Sequence, residues 1–253
     1  MTRFQFARRY ALRHLLVSIV IAGVSAAFVF GLLYPPPLQA MLGVGLIYLL
    51  LLTVDVVCGP LLTLLLANPK KSIRLLWLDL GVIGLVQVLA LLYGLHTVWV
   101  GRPVVLAFEV DRLVVVTANE IAPEELARAA PDRQHLPWWG LWQFNTREAK
   151  TMDESFETFT LGMSGISPAM RPGWWLPWET GLEGMARQAK PVEALLARRP
   201  QDAAVLQAAI KASGLPANEL RYLPLTCTRT KDWVALLDAQ FNMVGYAPID
   251  GFD

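Results

Sequence analysis

Histidine and cysteine are scarce in this chain, with three and two respectively among 253 residues. His14, His96 and His135 stand far apart, and no His, Cys or carboxylate spacing converges as a metal site requires, so no metal ion is expected. Cys58 lies inside an apolar run and Cys227 in a polar region, which argues against a disulfide between them. Charge of one sign is lacking too. A formal net charge of +1 leaves no electrostatic footprint for nucleic acid, and no nucleic-acid partner is expected. Neither a P-loop nor a GxGxxG run occurs. Gly162-Met163-Ser164-Gly165 is one residue too short for a nucleophile elbow. The chain therefore reads as a non-enzyme, with no catalytic residue and no cofactor.

What is abundant is apolar surface, and it is concentrated before residue 96. Three runs, 15–34, 41–67 and 75–95, reach the roughly 20 residues needed to span a bilayer. Arg3, Arg8, Arg9 and Arg13 precede the first run, the uncharged PPPLQ follows it, and NPKKSIR carries Lys70, Lys71 and Arg74 between the second and third. Positive charge marks the cytoplasmic side, so the N-terminus and NPKKSIR are predicted inside and everything after the third span outside. Small residues at Val24-Ser25-Ala26 resemble a signal-peptide cleavage point, but the apolar run continues to Tyr34 and predicts an uncleaved helix. The expected division is a membrane domain over 1–96 and an outer domain over 97–253.

Polar residues inside the spans attract notice. Asp55 lies near the middle of the second run, where a carboxylate costs roughly 2.5–3.5 kcal/mol and usually faces a partner or a cavity. Gly59-Pro60 follows, and the missing proline N–H predicts a helix break one turn earlier, around Val56. Asp55, Gly59, Pro60 and Asp79 are candidate contacts for another membrane helix, in a groove between the second and third spans. The alternative is that Asp55 bonds a helix of its own chain and only packs the bundle. Asp55 and Asp79 differ in depth by roughly 10 Å at 1.5 Å per residue, which disfavours an aspartyl-protease pair.

The outer domain opens with two β-rich runs, PVVLAFEV and RLVVVT, and closes with three more, RYLPLTC, DWVALLD and NMVGYAP, the last two joined by DAQFN. Between them APEELARAA, MDESFETFTLGMSG and 178–214 read as helices, the last broken at Pro191 and Pro200 and ending at Gly214. Strands grouped at both ends of a helical middle predict an α+β fold with a mainly antiparallel sheet. Tryptophan clusters in LPWWGLWQ (Trp138, Trp139, Trp142) and PGWWLPW (Trp174, Trp175, Trp178). Three readings stay open: loop anchors in the core, membrane-interface residues, or a protein-contact surface.

Several stretches resemble the type IV pilin accessory proteins, the TfpX/TfpZ family of Gram-negative bacteria. They are LLTVDVVCGPLLTLLL (51–66), NPKKSIR with LDLGVIGLVQVLALLYGLHTVWVGRPVVLAFEVDRLVVVTANEI (78–121), ELRYLPL (219–225) and DWVALLDAQFNMVGYAPID (232–250). Where the family has a glycine in the last hairpin turn and a Pro-Trp near the end, this chain has Gln240-Phe241-Asn242 and Asp250-Gly251. The resemblance implies a multi-pass inner-membrane protein with a periplasmic domain. It also implies a chaperone-like partner of a type IV pilin that modulates pilin stability, assembly and surface piliation, alongside the pilus assembly machinery. A membrane-tethered periplasmic ligand sensor is the main rival, and an intramembrane aspartyl protease a weaker one. The short N-terminal arm, with no cytoplasmic output module, disfavours the sensor.

Overall fold

A computed structural model describes residues 2–252. The chain divides into two compact units, one ending at Arg102 and the other beginning at Pro103.

Three helices long and apolar enough to cross a membrane make up the first unit: α1 (Arg3–Leu33), α2 (Val44–Leu66) and α3 (Ile73–Val100). Helix α1 starts ahead of its apolar run because Thr2 and Gln5 form a capping box there. Ser72 caps α3 by accepting from the Leu75 backbone N–H. Between α1 and α2 the chain makes a short helical turn, Leu38–Met41, and Gly43 takes the left-handed conformation that admits α2. Leucine and valine are exposed around the helices (Leu16, Val20, Leu50, Leu65, Leu78, Leu85 and others), a pattern that lipid covers and water would penalise. This is a membrane protein.

Helix α2 packs against both α1 and α3. Its polar anchors reach across long sequence separations. The Tyr48 hydroxyl donates to the Ala22 carbonyl at 2.9 Å and shares a 2.6 Å hydrogen bond with the Ser25 hydroxyl. The Tyr48 ring meets Phe30 edge-to-face. Tyr34 donates to the Val98 carbonyl at 2.8 Å, tying the end of α1 to the end of α3. Toward the N-terminal end of α1, His14 Nδ1 and Thr63 Oγ1 lie 2.6 Å apart, and the Arg3 guanidinium donates to the Leu65 carbonyl.

The second unit is α+β. Eight strands form one sheet: β1 (Pro103–Glu109), β2 (Arg112–Thr117), β3 (Trp142–Thr146), β4 (Trp175–Pro177), β5 (Lys190–Pro191), β6 (Arg221–Cys227), β7 (Thr230–Leu237) and β8 (Met243–Ala247). Their order is β4-β3-β1-β2-β6-β7-β8, with β5 beside β6. The sheet is mostly antiparallel; β1–β3 and β2–β6 are its parallel pairs. Strands β1 and β2 are buried nearly throughout, as their unbroken Val/Leu runs require. Helices α4 (Pro123–Ala127), α5 (Met152–Met163), α6 (Leu182–Gln188), α7 (Val192–Arg198) and α8 (Ala203–Ser213) fill the connections. Gly214 ends α8 with φ +75°.

The middle of the unit differs from the purely helical expectation. LPWWGLWQ leads into β3 and PGWWLPW contains β4, so the two tryptophan clusters feed adjacent strands. The reason is pairing: β3 lies parallel to β1 from Val105↔Trp142 to Phe108↔Asn145, an arrangement only the folded sheet defines.

Candidate functional site

Helix α2 is not broken at Gly59-Pro60. It widens instead, into a π turn over Val54–Cys58. In that register the N–H of residue i+5 bonds the carbonyl of residue i, and the residue five beyond Asp55 is Pro60, which has no N–H. The carbonyl set free is thus that of Asp55, not those around Val56. Gln87 of α3 fills the gap, its Nε2 donating to the Asp55 carbonyl oxygen at 2.8 Å. Gly59 makes this possible, because a Cβ there would fall on the Gln87 amide. The Gly-Pro pair and Gln87 form one construction: glycine admits the amide and proline supplies the free acceptor.

The Asp55 side chain takes no part in that bond. It is 8% exposed, and its Oδ1 and the Gln87 Oε1 are buried without a hydrogen-bond partner among the described residues. Asp55 and Gln87 line a cavity of about 210 Å³ together with His14, Ser18, Ala22 and Gly84. Val17 and Ile21 of α1 and Val88 of α3, all exposed, form its lip. The cleft therefore opens between α1 and α3 with α2 as its floor, so that the first helix joins the second and third, between which the groove was expected. Small residues, Ser18, Ala22 and Gly84, are what leave the space.

The other candidates go elsewhere. Asp79 pairs with Lys71 at 2.5 Å and does not line the Asp55 cavity. Pro60 lines a separate apolar groove of about 440 Å³ with Phe4, Leu12 and Leu64. Gln87 was missed by sequence reasoning, although a glutamine among apolar residues of a span is a visible signal.

In the second unit the six tryptophans divide. Trp174 and Trp175 are 4% exposed and belong to the core rather than to a contact surface. Trp174 is covered by the guanidinium groups of Arg147 (3.9 Å to the ring centroid) and Arg171 (4.7 Å). Trp175 stacks on Phe144 and donates from Nε1 to the Ala169 carbonyl at 2.8 Å. Trp142 and Trp178 are half-buried, while Trp138 and Trp139 stand 70% and 64% exposed.

Helix α5 buries none of its residues and is held to the unit through its acidic side. Arg147 grips Glu154 through two hydrogen bonds of 2.8 and 2.9 Å, and Arg171 bonds Glu157 at 2.9 Å. The two Arg147 hydrogen bonds, with a third from the Lys150 backbone N–H, pull the Glu154 carboxyl down to about 2. Turned outward are Met152, Phe156, Phe159 and Met163, spaced i, i+4, i+7, i+11 and each at least 66% exposed. This stripe was not foreseen, since a 3.6-residue period says that one face is apolar and not which way it points.

The comparisons with known proteins bear on the whole chain. A fimbrial assembly protein of serogroup I from Dichelobacter nodosus is 31% identical over 255 residues, covering 99% of this chain and 98% of the relative. The chain belongs to the fimbrial assembly protein family. A serogroup E1 relative from the same organism gives the same identity and coverage, and a shorter one, of serogroups C1 and C2, is 35% identical over 127 residues, half of this chain. The model of the family, Fimbrial assembly protein FimB, matches residues 2–43, which comprise the basic arm, α1 and the turn into α2. Family membership agrees with the resemblance to type IV pilin accessory proteins carried by 51–66 and 78–121. No solved structure matches.

Proposed function

We propose that this chain is a non-enzymatic accessory protein of the inner membrane that binds a type IV pilin and assists its assembly into surface pili. Its relatives' name supports a place in fimbrial assembly, and pilus components as partners follow from it. In this reading the N-terminus and the Lys70-Lys71 loop face the cytoplasm and the second unit lies in the periplasm, as the positive charge on Arg3, Arg8, Arg9, Arg13, Lys70, Lys71 and Arg74 supports. A pilin presents a long apolar helix in the membrane and a folded head outside it. The helix would lie along the lip between α1 and α3 and insert a side chain into the cleft, and the head would meet Trp138, Trp139 and the α5 stripe.

The observation that carries the proposal is the Asp55 carboxyl, buried at mid-span with its Oδ1 unpaired among the described residues. A carboxyl whose task was to glue the bundle together would be bonded within it. To test this, pilin is co-purified with the full chain from membranes, comparing wild type with Asp55→Leu at matched protein levels. Capture is expected to fall at least fivefold. Unchanged capture removes the docking site, and loss of the accessory protein itself would return Asp55 to a packing role.

A further inference from the structure

The Asp55 cleft has a definite chemical preference. The Gln87 amide can sit only one way round, because Nε2 is the atom able to donate to the Asp55 carbonyl at 2.8 Å, which leaves Oε1 as the free end. Oε1 and the Asp55 Oδ1 are then two buried oxygens on the wall of one cavity, neither with a donor among the described residues. His14 is engaged with Thr63, and neither His14 nor Ser18 bonds to either oxygen.

Size and depth limit what can enter. Engineered cavities of about 150 Å³ hold a benzene, so about 210 Å³ takes a side chain but not a helix of ~10 Å diameter. Asp55 is roughly 16 Å along α2 from either end, at the rise of 1.5 Å per residue, which is too deep for a lipid headgroup. The lip formed by Val17, Ile21 and Val88 opens toward lipid.

We propose that this cleft recognises a hydrogen-bond donor carried at mid-membrane depth by a partner helix, preferring a cationic amine and rejecting a carboxylate. The inference rests on the reading that a client helix docks between α1 and α3. An ammonium satisfies both oxygens at once and offsets the carboxylate charge; a carboxylate adds a third acceptor and a like charge.

The test uses the full chain in nanodiscs and synthetic single-span Leu/Ala peptides differing at one central position: Lys, Ser, Glu or Leu. Binding is followed by energy transfer between labelled peptide and protein. The Lys peptide is expected to bind at least tenfold (about 1.4 kcal/mol) more tightly than the Leu peptide, with Ser between them and Glu no better than Leu. Asp55→Asn should reduce the Lys preference to the Ser level. Equal binding of Lys and Leu peptides to wild type, or a preference for Glu, overturns the inference without reference to any variant's folding. Pilin capture in the same nanodiscs separates the two claims. Pilin bound without a Lys preference sinks the donor inference alone; a Lys preference without pilin capture sinks the pilin reading alone.

Discussion

Replacing Gly59 with alanine should destabilise this protein, and should stabilise it once Gln87 is gone. A Cβ on residue 59 meets the Gln87 amide, so Gly59→Ala displaces that side chain and breaks its bond to the Asp55 carbonyl. With Pro60 lacking an N–H, the carbonyl has no other donor on its helix. A hydrogen bond between membrane helices is worth about 0.6 kcal/mol on average and up to about 1.7, and overpacking typically adds 1–3 kcal/mol. Against these, alanine is a better helix former than glycine by about 1 kcal/mol. The net expectation is a loss of about 2 kcal/mol. In a Gln87→Ala background neither penalty exists, and the same change should gain up to about 1 kcal/mol. The assay is reversible unfolding in mixed micelles of mild detergent and SDS, followed by circular dichroism, for wild type, both single variants and the double variant. Additive effects across that cycle would refute the account of Gly59, Pro60 and Gln87 as one construction.

Val110, exposed at the β1–β2 turn, has φ +58°, and the Asp111 N–H bonds back to the Glu109 carbonyl at 2.7 Å, a strained tight turn for a β-branched residue. Val110→Gly should therefore raise thermal stability by about 1 kcal/mol, read by calorimetry on the full chain. Arg147 depresses the Glu154 carboxyl to about 2, so this group's stabilisation is complete above its unfolded value of 4.5 and is lost as pH falls toward 2. Limited proteolysis within α5 should accelerate over that window, and Glu154→Gln should abolish the pH dependence. Cys58 is exposed on the apolar face of α2, whereas Cys227 is buried and its thiol pushed up by that burial. A lipid-soluble maleimide should label Cys58 in native membranes, a charged maleimide should not, and Cys227 should react only after unfolding.

Features set by local pattern were legible in the sequence, and features set by distant partners were not. The three spans show as long apolar runs, and PVVLAFEV, RLVVVT and RYLPLTC show as strands because β-branched and aromatic residues crowd them. DAQFN joins β7 to β8 as read, with Phe241 in the left-handed conformation (φ +61°). Strand β3 was invisible because its pairing with β1 is settled some 37 residues away in the chain. The direction of α5 was equally hidden, since Arg147 and Arg171, which hold its acidic side, lie outside the helix. Asp55 stood out as a costly residue, but its relation to Gln87, 32 positions on, needs the helix packing to appear.

The distribution of hydrogen bonds within the helical unit argues that Asp55 is there for something other than cohesion. Tyr48 with Ser25, Tyr34 with Val98 and His14 with Thr63 already join the helices, each from paired groups. At Asp55 the bond between helices is made by the backbone carbonyl, and any residue preceding Pro60 by five would supply that carbonyl equally well. A leucine at position 55 would keep the π turn, the Gln87 bond and the packing, and would remove a carboxyl costing roughly 2.5–3.5 kcal/mol at mid-span. The carboxyl is thus separable from the structural role of the segment around it. A group that is costly, separable and left with its Oδ1 unpaired among the described residues fits the proposed donor from outside, which a partner helix in the membrane would bring to that depth.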